Sequence, residues 1–213
     1  MLNLYDCEFS ENCYKVRLFL SILGQEHQVI PVELFPGREH QRAHFRAINP
    51  LAKVPVLDDD GFIVHDSQAI LVYLACKYAP KGKWYPHDDA ARIAKVQMWL
   101  SLANDLNETV SKARWAQVWG EGGNLAVQGK AGRELLAVIE EHMWFAEKAG
   151  QEWLCPGEHP SIADLACFPH IMLSDQAGIS LIDYPALRRW TDRVKGINGF
   201  TVMPGIFSAE NGQ

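Results

Sequence analysis

The chain has 213 residues, of which 48% are hydrophobic and 22% charged, so it is long enough to bury one sizeable core or two modest ones. Its formal net charge of −6 provides no broad cationic field, which makes nucleic acid and anionic membranes poor partners. No stretch approaches the roughly 20 apolar residues of a membrane helix, and no secretory signal is recognisable, so we expect a cytoplasmic protein without a membrane partner.

The cysteine pattern predicts neither a disulfide framework nor a metal site. There are five cysteines, an odd number that is small for this length, and no two of them form a C-x-x-C pair. They are Cys7, Cys13, Cys76, Cys155 and Cys167. We therefore expect reduced thiols and no bound metal.

Strand and helix patterns alternate through the first 78 residues, which is typical of an α/β domain. The strand patterns lie at residues 2–5, 27–33, 54–57 and 62–64. The helical patterns lie at residues 16–23, 38–47 and 67–78. Pro31 is tolerable only on an edge strand because it cannot donate to the ladder, and the turn at 58–61 predicts an antiparallel hairpin. These patterns predict a mixed four-stranded sheet with the element order βαβαββα.

Beyond residue 87 every periodic pattern is helical. A segment at 80–87 that is rich in proline, glycine and lysine predicts a linker. The chain therefore divides into residues 1–79, a linker at 80–87 and an all-helical part at 88–213.

Three features organise the helical part. Long helical patterns at 88–120 and 125–149 flank a glycine-rich turn and predict a helical hairpin. Ser161 and Asp164 match a capping box with aspartate in place of the usual glutamate, and a final helix is expected at 186–195. The residues from Ser208 onward are expected to be loose.

The proline at the start of an internal strand pattern is the most informative local feature. A cis Val54–Pro55 bond would turn the backbone N–H and C=O of Val54 outward, where they could pair with an extended peptide. A trans proline on an edge strand is the commoner arrangement, so spacing alone favours trans. Asp66 and Ser67 precede an apolar helical pattern and predict a helix cap.

The run Pro50-Leu-Ala-Lys-Val-Pro-Val-Leu57, followed by Asp66-Ser-Gln-Ala-Ile-Leu-Val-Tyr-Leu74, resembles the glutathione-site signature of glutathione transferases. The resemblance implies a thioredoxin-like first domain, an all-helical second domain and glutathione as co-substrate.

In that family the cis-proline strand pairs with the cysteinyl backbone of glutathione, a role that falls to Val54 and Pro55. By the same resemblance Asp66 receives the γ-glutamyl ammonium, and Ser67 with the helix N–H groups receives the adjacent carboxylate. Lys53 is expected to meet the glycyl carboxylate. His40, on the polar helix, is expected to share that task.

The loop before the first helix resembles that of serine-type glutathione transferases, such as the theta, zeta and related bacterial classes. Their catalytic serine matches Ser10 and donates a hydrogen bond to the glutathione sulfur, which favours the thiolate. Lowering a thiol pKa by about two units needs roughly 2.7 kcal/mol, within reach of one charge-assisted hydrogen bond plus a helix N-terminus. Asn12 is the second candidate donor, and a purely structural N-cap is the alternative role for Ser10.

The implied function is conjugation of the glutathione thiolate to a small hydrophobic electrophile by a homodimer, a detoxification chemistry. Trp115 and Trp119 are four residues apart, share a helix face and are expected to border the electrophile pocket. Alternatives on the same fold are a glutathione-dependent isomerase, a dehalogenase, a disulfide oxidoreductase or a non-catalytic ligand- or partner-binding protein. Residues 10–12, Ser-Glu-Asn, depart from the Ser-Ser-Cys pattern of the zeta-class isomerases.

Overall fold

A computed structural model describes residues 1–207, and the expectation for Ser208 onward lies outside this range. The elements of the first part are β1 Leu2–Asp6, α1 Glu11–Ile22, β2 Gln28–Pro31, α2 Ala43–Ile48, β3 Val56–Asp59, β4 Phe62–His65 and α3 Ser67–Lys77. Those of the second part are α4 Ala90–Leu106, α5 Lys112–Trp119, α6 Leu125–Lys148, α7 Ile162–Met172 and α8 Pro185–Lys195.

The first part is a mixed four-stranded sheet in the order β2-β1-β3-β4. β1 runs parallel to β2 and antiparallel to β3, and β3 and β4 form the predicted hairpin. The fully buried Leu4 and Leu57 are register partners in the central pair of strands. β2 lies at the edge with Pro31 as its last residue. The predicted thioredoxin-like domain and helical second domain are confirmed, whereas the residue limits of the linker stay a prediction.

The expected helix at 38–47 is wrong as a single element. It is divided into a short 3₁₀ turn at Glu39–Gln41 and α2, with Arg42 in an extended conformation between them. Glu39 closes a loop there, because its backbone N–H donates to the Glu33 carbonyl and its carboxylate accepts from the Glu33 N–H. Only Phe45 of this stretch is buried, so no apolar stripe holds it in one continuous helix.

The helical hairpin of the second part contains a feature that its sequence pattern does not predict. A five-residue π-helical segment, Asn107–Ser111, connects α4 to α5. Gly120 ends α5 in the left-handed region at φ 72°, a conformation that costs glycine little. Within residues 1–207, no helix is long and apolar enough to cross a membrane.

The two parts are packed together through α1 and α7. Lys15 of α1 is fully buried, and its Nζ lies 3.0 Å from His170 Nε2 of α7. The other ring nitrogen of His170 lies 2.7 Å from the hydroxyl of Ser111. Burial lowers the pKa of Lys15 to about 8 and also lowers that of His170. A polar chain of three side chains therefore crosses the apolar interface between the domains.

The predicted capping box at the start of α7 is present. Asp164 is fully buried, and its Oδ2 accepts from the Ser161 N–H at 2.9 Å. Its Oδ1 accepts from the Leu154 N–H and from Trp190 Nε1, each at 3.0 Å. One carboxylate therefore joins the start of α7 to α8 and to the loop before α7.

We predict that Asp164→Ala lowers the free energy of unfolding by about 3 kcal/mol or more, because it leaves several buried donors without an acceptor. Ser161→Ala should cost about 1 kcal/mol through the lost cap. Urea denaturation measures both values. Ser101→Ala, at an exposed position of α4, is the matched control and should leave stability unchanged or slightly raised. A loss below 1 kcal/mol for Asp164→Ala would contradict the structural role of this carboxylate.

Candidate active site

Ser10 stands where the loop after β1 turns into α1. Its backbone N–H donates to the Cys7 carbonyl at 3.0 Å, which closes the turn. It is the N-cap of α1, and its Oγ accepts from the Cys13 N–H at 3.3 Å. That bond uses a lone pair of the oxygen and leaves the hydroxyl proton for another acceptor. The hydroxyl therefore combines a donor with the positive end of a helix dipole.

A buried ion pair from the second domain holds this loop. Arg114 of α5 is 2% exposed, and its guanidinium donates at 3.0 Å both to Glu11 Oε1 and to the Phe9 carbonyl. The other oxygen of Glu11 accepts from Trp115 Nε1 at 3.2 Å. The residues on either side of Ser10 are thus fixed by consecutive residues of α5.

Asp66 and Ser67 lie at the junction of β4 and α3. Asp66 is the N-cap of α3, and one carboxylate oxygen accepts from the N–H groups of Gln68 and Ala69 at 3.0 and 3.1 Å. Its φ of 77° is unusual for a residue other than glycine, and such backbone strain clusters at functional sites. Asp66 is exposed, whereas Ser67 is buried. A carboxylate with one oxygen engaged in the cap is therefore presented to solvent at the N-terminal end of a helix.

Amide side chains join the two domains beneath these groups. Asn12 Nδ2 donates to Asn107 Oδ1 at 2.9 Å, and Gln68 Nε2 donates to Asn104 Oδ1 at 2.8 Å. Asn107 is the first residue of the π-helical segment. Such segments occur frequently at functional sites, and this one places an amide of the helical domain against α1.

The segment before β3 presents backbone groups to the same region. The Val54–Pro55 bond is cis, as the family resemblance implies. Among residues 1–207, the backbone N–H and C=O of Val54 take part in no backbone hydrogen bond. Asn49 shapes the segment by donating from Nδ2 to the Lys53 carbonyl at 2.8 Å and by accepting from the Leu51 N–H at 3.1 Å.

One cavity of about 660 Å³ collects nearly all of the side chains that the sequence singles out. Its lining includes Ser10, Asn12, His40, Lys53, Val54, Pro55, Asp66, Ser67 and Trp115. Burial lowers the pKa of His40, so its ring is neutral near pH 7 and can donate a hydrogen bond but carries no charge. Trp119 is the exception, because it lines the neighbouring cavity.

That neighbouring cavity has a volume of about 450 Å³ and aromatic walls. The rings of Trp115 and Trp119 lie 4.4 Å apart at 33°, and Phe9 lies 5.8 Å from Trp119. Phe35, 45% exposed, lines it from the loop after β2. Leu34 and Trp115 line both cavities, so the two are adjacent.

The cysteines near the site have the properties of structural thiols. All five cysteines of the chain are free. Burial raises the pKa of Cys7 and, further, that of the fully buried Cys13, whose sulfur accepts from the Cys7 N–H. Both thiols are therefore protonated at neutral pH and are poor nucleophiles. Residues 1–207 contain no group of three His, Cys, Asp or Glu side chains arranged for a metal ion.

Comparison with known proteins agrees with this geometry. The family descriptions "Glutathione S-transferase, N-terminal domain" and "Glutathione S-transferase, C-terminal domain" match residues 4–82 and 112–193. Human glutathione S-transferase theta-2B is 32% identical over 188 residues, which cover 86% of this chain and 76% of that protein. The chain belongs to the glutathione S-transferase family. The protein is a glutathione transferase, and the predicted resemblance to serine-type enzymes of the theta class is confirmed.

Two further proteins are similar to most of this chain. The crystal structure of a glutathione S-transferase from Xanthobacter autotrophicus has a TM-score of 0.83 at 30% identity, covering 96% of this chain and 98% of that one. Maleylacetoacetate isomerase of Pseudomonas aeruginosa is 27% identical over 197 residues, which cover 90% of each chain. The glutathione transferase fold therefore extends over nearly the whole chain.

The residues that hold the site together have little signature in the sequence. Glu11 follows Ser10 directly, yet its partner Arg114 is 103 positions away. The amides of Gln68 and Asn107 occupy helix positions that look ordinary in the sequence. Only the acidic residue in the first turn of α1 offered a signal, and it is equally typical of an exposed helix start.

We predict that Arg114→Met and Glu11→Gln each lower the free energy of unfolding by about 3–5 kcal/mol, because each leaves a buried charge or polar partner unpaired. The double variant should cost less than the sum of the two. Urea denaturation of all four proteins gives the coupling energy. The surface pair Lys130 and Glu134 is the matched control, and its coupling should not exceed about 0.5 kcal/mol. Strict additivity at Arg114 and Glu11 would show that the pair is not coupled.

Proposed function

We propose that this transferase binds glutathione in the larger cavity, ionises its thiol with the Ser10 hydroxyl, and transfers the thiolate to a small hydrophobic electrophile. The observation that carries the proposal is the position of Ser10. Its hydroxyl stands at the N-terminus of α1 and faces the same cavity as Val54, Asp66 and Ser67. A thiol tripeptide held by those three residues would bring its sulfur toward that hydroxyl.

The binding roles follow from the chemistry of each group. The unpaired backbone groups of Val54 suit the cysteinyl backbone, and Pro55 completes that wall of the cavity. The exposed Asp66 carboxylate suits the γ-glutamyl ammonium. Lys53 is the cation for the glycyl carboxylate, with the neutral His40 as a hydrogen-bond donor beside it.

The N-terminus of α3 suits the carboxylate next to the γ-glutamyl ammonium. The hydroxyl of Ser67 has one proton and two nearby acceptors, Asn12 Oδ1 at 3.2 Å and Gln68 Oε1 at 2.5 Å. Glutathione binding would therefore redirect this proton from a neighbouring amide to the carboxylate. Because a carboxylate is the stronger acceptor, the exchange is favourable.

Ser10 is a better thiolate donor than Asn12. Asn12 already donates one amide hydrogen to Asn107 at 2.9 Å, so its amide is held by the domain interface. The Ser10 hydroxyl can rotate its proton toward an incoming sulfur. We assign Ser10 as the donor and Asn12 as a residue that fixes the adjoining wall.

The transfer step needs no further catalytic group. The glutathione thiolate attacks the electrophilic carbon, a carbon–sulfur bond forms, and the leaving group departs with its electron pair. For an electrophile that adds instead of substituting, a proton from solvent completes the product. The aromatic cavity beside Ser10, with Trp115 and Trp119 in its wall, would hold the electrophile.

The isomerase relative makes glutathione-dependent isomerisation the second candidate. The buried, protonated Cys7 and Cys13 disfavour disulfide exchange, because neither offers a thiolate. A homodimer, a cytoplasmic location and a detoxification role are the remaining parts of the proposal. The first rests on family resemblance, and five free thiols support the second.

We predict that Ser10→Ala moves the pH dependence of kcat/KM for a neutral aryl halide to higher pH by about two units, because the bound thiol loses its donor. Near pH 7, kcat/KM should fall by about 10- to 100-fold. Stopped-flow titration of the thiolate absorbance of bound glutathione measures the pKa directly. Asn12→Ala is the matched variant and should move this pKa less than Ser10→Ala does. The reverse order would assign the donor role to Asn12.

We predict that Asp66→Asn raises the KM for glutathione about ten-fold, with a smaller effect on kcat, because the variant keeps the α3 cap but loses the charge. Calorimetry with a glutathione analogue that lacks the γ-glutamyl amino group provides the control. Wild type and variant should bind this analogue equally. A ten-fold loss for both ligands would show that Asp66 acts through the helix and not through the ammonium.

A further inference from the structure

We infer that the aromatic cavity selects neutral and cationic aromatic electrophiles and discriminates against anionic ones. This inference rests on the proposed function, because it names the class of co-substrate. It predicts that the enzyme conjugates uncharged or cationic aryl and benzyl compounds more efficiently than substrates that bear a carboxylate.

The shape of the cavity points to a planar ring. Trp115 and Trp119 are nearly stacked, and Phe9 meets Trp119 at 57°. Leu34 and Phe35 line the cavity from the loop after β2. Aromatic faces suit flat apolar ligands and also attract cations through the ring quadrupole.

The charged side chains that line this cavity are all acidic, and the Arg114 guanidinium, 4.9 Å from the Trp119 ring centroid, is paired with Glu11 and is not part of the lining. Its lining includes four carboxylates, Asp6, Glu8, Glu33 and Glu39, whereas no Lys, Arg or His of residues 1–207 lines it.

Only two of these carboxylates have a cation within ion-pair distance. Asp6 pairs with Arg17, and Glu39 lies 3.9 Å from Arg42. Among the residues that the structure describes, Glu8 and Glu33 have no cation within 4.0 Å. Both residues are exposed, so solvent and salt screen their charges, and a substrate carboxylate placed here would meet a negative potential that weakens as ionic strength rises.

The larger cavity has a different charge pattern. Its lining combines Lys53 and Lys112 with three carboxylates, of which Glu108 pairs with Lys112, Glu11 pairs with Arg114, and Asp66 caps α3. Glutathione carries two carboxylates and one ammonium, so a lining with both signs of charge suits it. The two linings therefore suit an anionic reactant in the larger cavity and a reactant without negative charge in the adjacent one.

Three benzyl bromides that differ only in the para substituent test the inference: nitro, carboxylate and trimethylammonium. Each kcat/KM is divided by the rate constant for free glutathione at the same pH, which removes differences in intrinsic reactivity. In the wild-type enzyme we expect this enhancement to be at least about ten-fold larger for the ammonium than for the carboxylate. The ratio should fall as ionic strength rises. A ratio of one or below would overturn the inference.

Charge-neutral variants assign the selection to named residues. Glu8→Gln combined with Glu33→Gln should lower the ammonium-to-carboxylate ratio about five-fold. Glu26→Gln combined with Glu134→Gln changes the net charge equally at exposed positions that line neither cavity, and it should leave the ratio unchanged. If both double variants change the ammonium-to-carboxylate ratio equally, the effect comes from overall charge and the assignment to Glu8 and Glu33 is wrong.

A binding measurement distinguishes failure of this inference from failure of the proposed function. If no bromide reacts faster than with free glutathione, conjugation itself is wrong. Quenching of tryptophan fluorescence by unreactive para-toluate and para-tolyltrimethylammonium then measures the same selectivity without chemistry. Tighter binding of the ammonium would support the inference, and equal binding or tighter toluate binding would refute it.

Discussion

The buried ion pair between Arg114 and Glu11 is the constraint on which the geometry of the site depends. Two charges that are almost completely excluded from water require each other, and Arg114 also binds the Phe9 carbonyl. The loop that carries Ser10 is therefore positioned by the helical domain. Because Trp115 donates to the same carboxylate, Glu11 places the aromatic wall and the serine at a fixed separation. The candidate active site is therefore a property of the domain interface.

The arrangement of charge follows from the same interface. The N-terminus of α1 and the side chain of Lys53 bring positive charge to the cavity that Ser10 lines, where carboxylates such as Asp66 are also present. The loop after β2 brings only acidic charges to the aromatic side. Leu34 and Trp115 stand between the two regions. In the proposed reaction, a thiolate formed at this boundary would be stabilised by the N-terminus of α1, and the lining of the second cavity would offer it no cation.

Local chemistry explains what the sequence predicts and what it does not. The Asp66 cap was predictable because it depends on neighbouring residues, whereas the cis Val54–Pro55 bond followed from the family resemblance and not from spacing. Nearly all the residues chosen by that resemblance line one cavity. The Arg114–Glu11 pair was not predictable, because nothing in a charge pattern reveals a partner 103 residues away. The division at Arg42 was missed for a related reason, since the loop contact of Glu39 overrides a weak helical pattern.

The number of residues in the π-helical segment Asn107–Ser111 affects the geometry of the site. Its wider hydrogen-bonded turn accommodates an additional residue between α4 and α5. Successive residues of an α-helix are about 100° apart around its axis. Loss of one residue here would therefore rotate Arg114 and Trp115 to another face of α5. A substitution in this stretch changes one side chain, whereas an inserted or deleted position would reorient all of α5 and reshape the second cavity.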